Sequence, residues 1–392
     1  MATRRWLGAA QAVAQISTVT ITGTITVGAT YTIQVGNASV IYTSITGDTL
    51  TSVAAGLVSL CSDSGAPAEF SDIEWTSNAG VVTATAGSPG QPFTISSSDT
   101  DASAAATTAS VLASSGPNYW SVAANWSGST VPVTGDIVII SQSATEILYG
   151  LAQSAVLLAE LIIESSYTGK IGSPVANLSG YIEYRATYLA IGATKLLIGQ
   201  GSSRGSQLLK IDLGTNVSTV IISKTDTTPL DGESSCQILA VNVASTINII
   251  EGDLGVARLG EEVSTLAKIQ VGVKATVKIG YGVTLATIEN AGSIECASNI
   301  TTWTQDSGKA LLFDATLATL TVKGGEFWYF GSATITTATI GPGTLDLSGD
   351  LRSRTITTCN LKKGGKIFDP GRTLTATGGF VLDADVDAVT AS

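Results

Sequence analysis

Hydrophobic and polar residues alternate along the first hundred positions, with one interruption. Ser17–Thr26 (STVTITGTIT) alternates in twos, the period of a strand with one face buried. Tyr31–Val35 and Val40–Thr43 continue the alternation, and Gly36-Asn37 between them is a hairpin turn signal. The period then lengthens. Leu50, Val53, Ala54, Leu57 and Leu60 recur at three and four residues, which predicts a helix starting at Asp48 or Thr49 and ending before Gly65 and Pro67. Strands are expected again at Ile73–Thr76, Val81–Ala86 and Phe93–Ser97. Residues 17–97 therefore read as a small α+β module, with the helix on one face of an antiparallel sheet.

Residues 98–118 are dominated by Ser, Ala, Thr and Asp and end on Gly116-Pro117, so a linker is expected there. Trp120-Ser-Val-Ala-Ala-Asn-Trp126 follows. The two indoles suit either a sugar-stacking platform or a packing cap at the entrance to the next domain.

From about residue 155 the pattern becomes repetitive, with short β-rich strings alternating with glycine turns. Ile249 to Ile269 is 20 residues, Ile269 to Ile288 is 19, Val322 to Ile340 is 18 and Ile340 to Leu361 is 21. Leu320–Phe327 (LTVKGGEF) is echoed by Thr339–Leu345 and by Asn360–Ile367. A strand, a glycine turn and a strand at a step near 20 residues predict a mainly β protein whose residues 119–392 form a β-solenoid, a parallel β-helix with an entrance cap. Coils stacked about 4.8 Å apart would carry Val, Ile and Leu in continuous interior columns.

Composition narrows the chemistry. The 392 residues hold 20 Lys and Arg against 31 Asp and Glu, for a net charge of −11, and no His. Such a chain, without a dense basic cluster, is not expected to bind nucleic acid, and its lack of 18-residue apolar runs gives no expectation of a membrane helix. The absence of His removes the commonest general base and metal ligand. The acids Glu289, Glu295, Asp306, Asp314, Glu326, Asp346 and Asp350 offer paired carboxylates, but such pairs arise on any acidic β surface. Asp212, Asp253 and Asp346 lack the spaced Asp-x-Asp-x-Asp of a calcium loop. No enzyme activity and no cofactor are expected. Phe327, Trp328 and Tyr329, with Trp120 and Trp126, are the candidate glycan or partner contacts. The four cysteines, Cys61, Cys236, Cys296 and Cys359, are expected to stay reduced, the last three on similar faces and about three coils apart.

The opening Met1-Ala-Thr-Arg-Arg-Trp-Leu-Gly resembles a group of tailed-phage virion proteins. So do Gly47–Leu57, Trp120–Trp126, Tyr167–Gly172, Tyr184–Gly192 and Ile198–Gly201. The resemblance covers about the first 220 residues. It implies a trimeric capsid decoration or stabilising protein with a tailspike-like β-helical body, carried on the outer capsid surface and bound to the major capsid protein. Residues 1–16 would be a docking arm that orders only on the capsid, with Arg4, Arg5 and Trp6 as anchors, the residue types favoured at interfaces. A glycan-binding or glycan-degrading tail spike remains the alternative, and an exported bacterial adhesin a weaker one.

Overall fold

The expected change of period after residue 47 is a helix boundary. Thr49 caps the helix Leu50–Cys61 in a reciprocal capping box with Ser52, and Val53, Ala54, Leu57 and Cys61 face the core. The computed structural model describes residues 1–172, 187–200, 208–226, 234–258 and 262–383, and the fold is mainly β.

The N-terminal module holds two antiparallel sheets rather than one. A four-stranded sheet runs in the order Ile73–Asn78, Val81–Ala86, Ile16–Gly23, Ala104–Leu112; a three-stranded sheet runs Ala38–Thr43, Thr30–Val35, Ile95–Asp99. The predicted linker is thus corrected. Ala104–Leu112 is a full strand paired along Ile16–Gly23, with Val19 opposite Thr108. Its small Ala, Thr and Ser residues carry no apolar contrast, so nothing local marks it as a strand. Tyr31 and Asp101 fasten the module internally: the buried Tyr31 hydroxyl donates to Asp101 at 2.6 Å. Burial and the neighbouring carboxylate push the phenol well above its ordinary pKa.

In the body most strands pair in parallel with a strand one or two further along the chain, Thr3–Arg5 reaching instead to Ile137–Ile140 and Arg354–Leu361 also to Phe380–Leu382, and together they form one closed parallel sheet. Two interior columns define the first ladder. One passes through Val138, Leu161, Leu196, Val220, Ile247, Ile269, Ile288, Trp303, Leu320, Ala338 and Cys359; the other lies two residues on and includes Ile249, Val271, Asn290, Gln305, Val322, Ile340 and Leu361. A second ladder carries Leu209, Cys236, Leu254, Val277, Ile294, Ala310, Phe327, Leu345 and Ile367 in one column. Except for Ile367, which is partly buried, these apolar residues are almost wholly buried.

The register differs from the sequence reading at one step. Ile249 pairs with Val271, and Ile269 belongs with Ile247. The steps Ile269 to Ile288, Val322 to Ile340 and Ile340 to Leu361 stand as expected. The turns joining the two ladders need glycine. Gly308 and Gly325 sit at φ +71° and +70°, and a Cβ on either would run into the backbone of Gly292 or Gly308, respectively.

All four cysteines are free and buried. Cys236 and Cys296 lie in the second ladder, but Cys359 lies in the first, so the expected common face does not hold. Burial alone pushes the Cys61 thiol up to about 12, and burial together with a hydrogen bond sets Cys296 at about 12.

Candidate functional site

The N-terminal arm is part of the fold. Thr3–Arg5 adds in parallel to Ile137–Ile140, with Arg4 opposite Val138, and so starts the first ladder. Trp6 follows directly and is only 3% exposed. Its ring meets Trp126 edge-to-face at 5.0 Å, and Trp126 meets Trp120 the same way at 4.6 Å. The Trp6 Nε1–H donates to the Thr145 carbonyl at 3.3 Å, and the Trp126 Nε1–H to the Trp120 carbonyl at 2.7 Å. Arg4 Nε donates to Asp136 at 3.3 Å, and the Asp136 carboxylate also accepts the Ala2 N–H at 2.8 Å.

Of the three expected capsid anchors, Arg5 alone remains exposed. A free arm would leave an indole in water, whereas the cap buries three of them together. Trp120 and Trp126 are likewise buried, which corrects their candidacy as glycan contacts: they are the packing cap.

Phe327, Trp328 and Tyr329 split by strand alternation. Phe327 and Tyr329 face the interior, 0% and 2% exposed, and are also corrected as surface contacts. Phe327 packs edge-on against Trp303 at 5.1 Å, and the Tyr329 hydroxyl donates to the Ala333 carbonyl at 2.9 Å. Trp328 faces outward beside Phe330, near-parallel at 6.1 Å, and Phe330 stacks on Phe313 of the paired strand Lys309–Phe313 at 5.0 Å. Lys309 Nζ lies 4.7 Å from the Trp328 ring centroid, and the Trp328 Nε1–H donates to Glu326 at 3.2 Å.

Arg352 closes one side of this strip. Its guanidinium donates to the Phe330 carbonyl at 3.1 Å and to Asp350 at 2.8 Å, and pairs with Asp314. The hydrogen bond from Arg352 is the main reason the Asp350 carboxyl lies below its ordinary range. The strip therefore offers flat apolar faces bordered by fixed charges. Phe313 and Lys309 were not singled out in the sequence; the available signal was the 17-residue offset of Lys309–Phe313 from Glu326–Phe330, the step between paired strands.

A second concavity, of about 220 Å³, lies on the outer face of the first ladder and is lined by Asn248, Gln270, Glu289 and Asp306 among others. Its two acids are already engaged. Glu289 accepts from Lys268 at 2.7 Å and Gln270 at 2.6 Å, and Lys323 donates to Asp306 at 3.0 Å. The hydrogen bond from Lys268 leads the causes that hold Glu289 below its ordinary pKa, whereas the acid of a glycosidase pair needs a raised one.

Asp212, Asp253 and Asp346 accept hydrogen bonds from the backbone N–H groups of Gly214, Ser235 and Ser348. Among the described residues no group of three or more Cys, Asp or Glu converges as a metal site would, and no helix is long and apolar enough to cross a membrane. Tyr184, Arg185, Ala186 and Gly201 of the resemblance motifs lie outside the described residues. Comparison with protein-family models, curated proteins and solved structures finds no match to this chain.

Proposed function

We propose that the chain is a non-enzymatic structural virion protein, with a β-solenoid body, that binds the outer surface of a phage capsid as a homotrimer and stabilises contacts between capsomers. The observation that supports this reading is the parallel pairing of successive strands from Ile137–Ile140 to Phe380–Leu382, joined to a separate α+β module. A stack of this kind is a stiff rod that holds a folded module at a fixed place, which is what clamping a lattice requires. Binding only the assembled lattice would stabilise it by mass action. With Trp6 in the core, Arg5 and the module's outer faces are left for capsid contact. The test is the ratio of this chain to the major capsid protein in purified particles, with heat resistance of particles stripped of it. Hundreds of copies per particle and a lowered melting temperature on stripping are expected; a few copies, or unchanged heat resistance, would refute the role.

The outward strip of Trp328, Phe330 and Phe313 favours a second reading, a glycan-binding spike. On that reading Trp328→Ala abolishes retention on host surface polysaccharide, and the copy number is a few per particle.

A further inference from the structure

The described body has one finished end and one open end. After Phe380–Leu382 no further strand follows among the described residues. In the columns of the first ladder, Phe380 follows Cys359 and Leu382 follows Leu361. The earlier members are 0% and 3% exposed, and the last ones 48% and 50%. In the second ladder, Phe368 of the strand Lys366–Phe368 is 41% exposed. Core positions are thus half in water at a strand whose outer edge is unpaired among the described residues, a surface that calls for a partner.

Charge indicates which partner. Residues 351–383 hold six cations against two carboxylates, in a chain of net charge −11. Four of them, Lys362, Lys363, Lys366 and Arg372, are exposed around the open end. The opposite end has the reverse sign. No Lys or Arg occurs between Arg5 and Lys170, and residues 17–116 carry seven acids. Asp63 and Glu74 are exposed and Glu69 is half-buried at the foot of the helix Leu50–Cys61, close in sequence to the exposed Leu60.

We infer that the open C-terminal end docks a second copy of this chain head-to-tail, the basic apolar tip of one copy meeting the acidic face of the N-terminal module of the next. The charges are complementary between opposite ends and repulsive between like ends, so tail-to-tail pairing is disfavoured. A head-to-tail contact joins two different patches, so it closes into a ring or extends as a filament. The contact does not depend on capsid binding.

Charge swapping tests it by light scattering on the full chain. Wild-type protein assembles at low salt, and raising the salt weakens the assembly at least about tenfold because exposed pairs are screened. Lys362→Glu/Lys363→Glu/Lys366→Glu and, separately, Asp63→Lys/Glu69→Lys/Glu74→Lys each give monomers. An equimolar mixture of the two variants reassembles, as does a chain carrying both sets; this also shows that neither variant is merely unfolded. A monomeric wild-type chain overturns the inference, and so does a trimer that both variants leave intact, which would preserve the homotrimer but place its contacts elsewhere. Assembly that appears only after removing residues 384–392 would make the chain's own end the occupant and likewise overturn it.

Discussion

The first and last strands of the first ladder solve the same physical problem differently. Each strand of the ladder buries its interior residues against its neighbours, so an end strand lacks half its cover. At the first end, Thr3–Arg5 returns from more than 130 residues away to pair with Ile137–Ile140, and Trp6, Trp120 and Trp126 close over the interior. At the last described strand, Phe380 and Leu382 stay half exposed. Just inside that strand, Arg354 does what apolar residues do elsewhere: buried, it donates to the carbonyls of Gly331, Leu347 and Asp350 and to Thr373, tying neighbouring segments together. The contrast teaches that the first end of the ladder is closed by the chain's own residues, while core positions at the last described strand stay half exposed.

The comparison can be broken at its strongest point first. Trp126→Ala removes the central ring of the cap and should cost about 3–5 kcal/mol in chemical denaturation. A loss below about 1 kcal/mol would mean that the indoles are not the cap.

Asp136→Ala comes next. It leaves the Ala2 N–H unpaired and Arg4 without its carboxylate, at a cost of about 1–3 kcal/mol. Burial pushes the Asp136 carboxyl up, but the hydrogen bonds from Ala2, Val133 and Arg4 outweigh it and hold the pKa below the ordinary value. A depressed folded-state pKa contributes stability above the unfolded value, about 3.9, that is lost as pH falls through the folded one. The gap between wild type and variant should therefore be full at pH 6 and shrink below about pH 4, as read by melting curves; a gap that widens in acid would contradict this.

The smallest effect is expected at the open end. Leu382→Ala should cost less than about 1 kcal/mol in the isolated chain, because the side chain is half exposed already. A loss above about 2 kcal/mol would show that this end is covered and erase the contrast.

How much of this was legible depended on whether the signal was local. The helix Leu50–Cys61 was, since its apolar spacing and Thr49 cap lie within 13 residues. The echo of Leu320–Phe327 in the next two repeats was also legible, and it matches the column Phe327, Leu345, Ile367. The strands between Ile288 and Leu320 were not. There one inward column of the first ladder passes through Asn290 and Gln305, and these polar side chains hide a buried column from a hydropathy reading. They are tolerated because they satisfy one another. Asn290 Nδ2 donates to Gln305 Oε1 at 3.0 Å, the Gly292 N–H donates to Asn290 Oδ1 at 3.1 Å, and Gln305 Nε2 donates to the Ser307 carbonyl at 2.6 Å.

The sequence by itself determined the β-rich class, the change of architecture between the first hundred residues and the rest, and the approximate step of the repeat. These follow from side-chain periodicity, which every strand and helix writes locally. Tertiary structure alone decided the register at Ile249, the strand Ala104–Leu112, the return of Thr3–Arg5 to Ile137–Ile140, and which of Phe327, Trp328 and Tyr329 meets water. A strand in a parallel sheet is defined by hydrogen bonds to a neighbour many residues away, and which of its faces is buried depends on what that neighbour encloses.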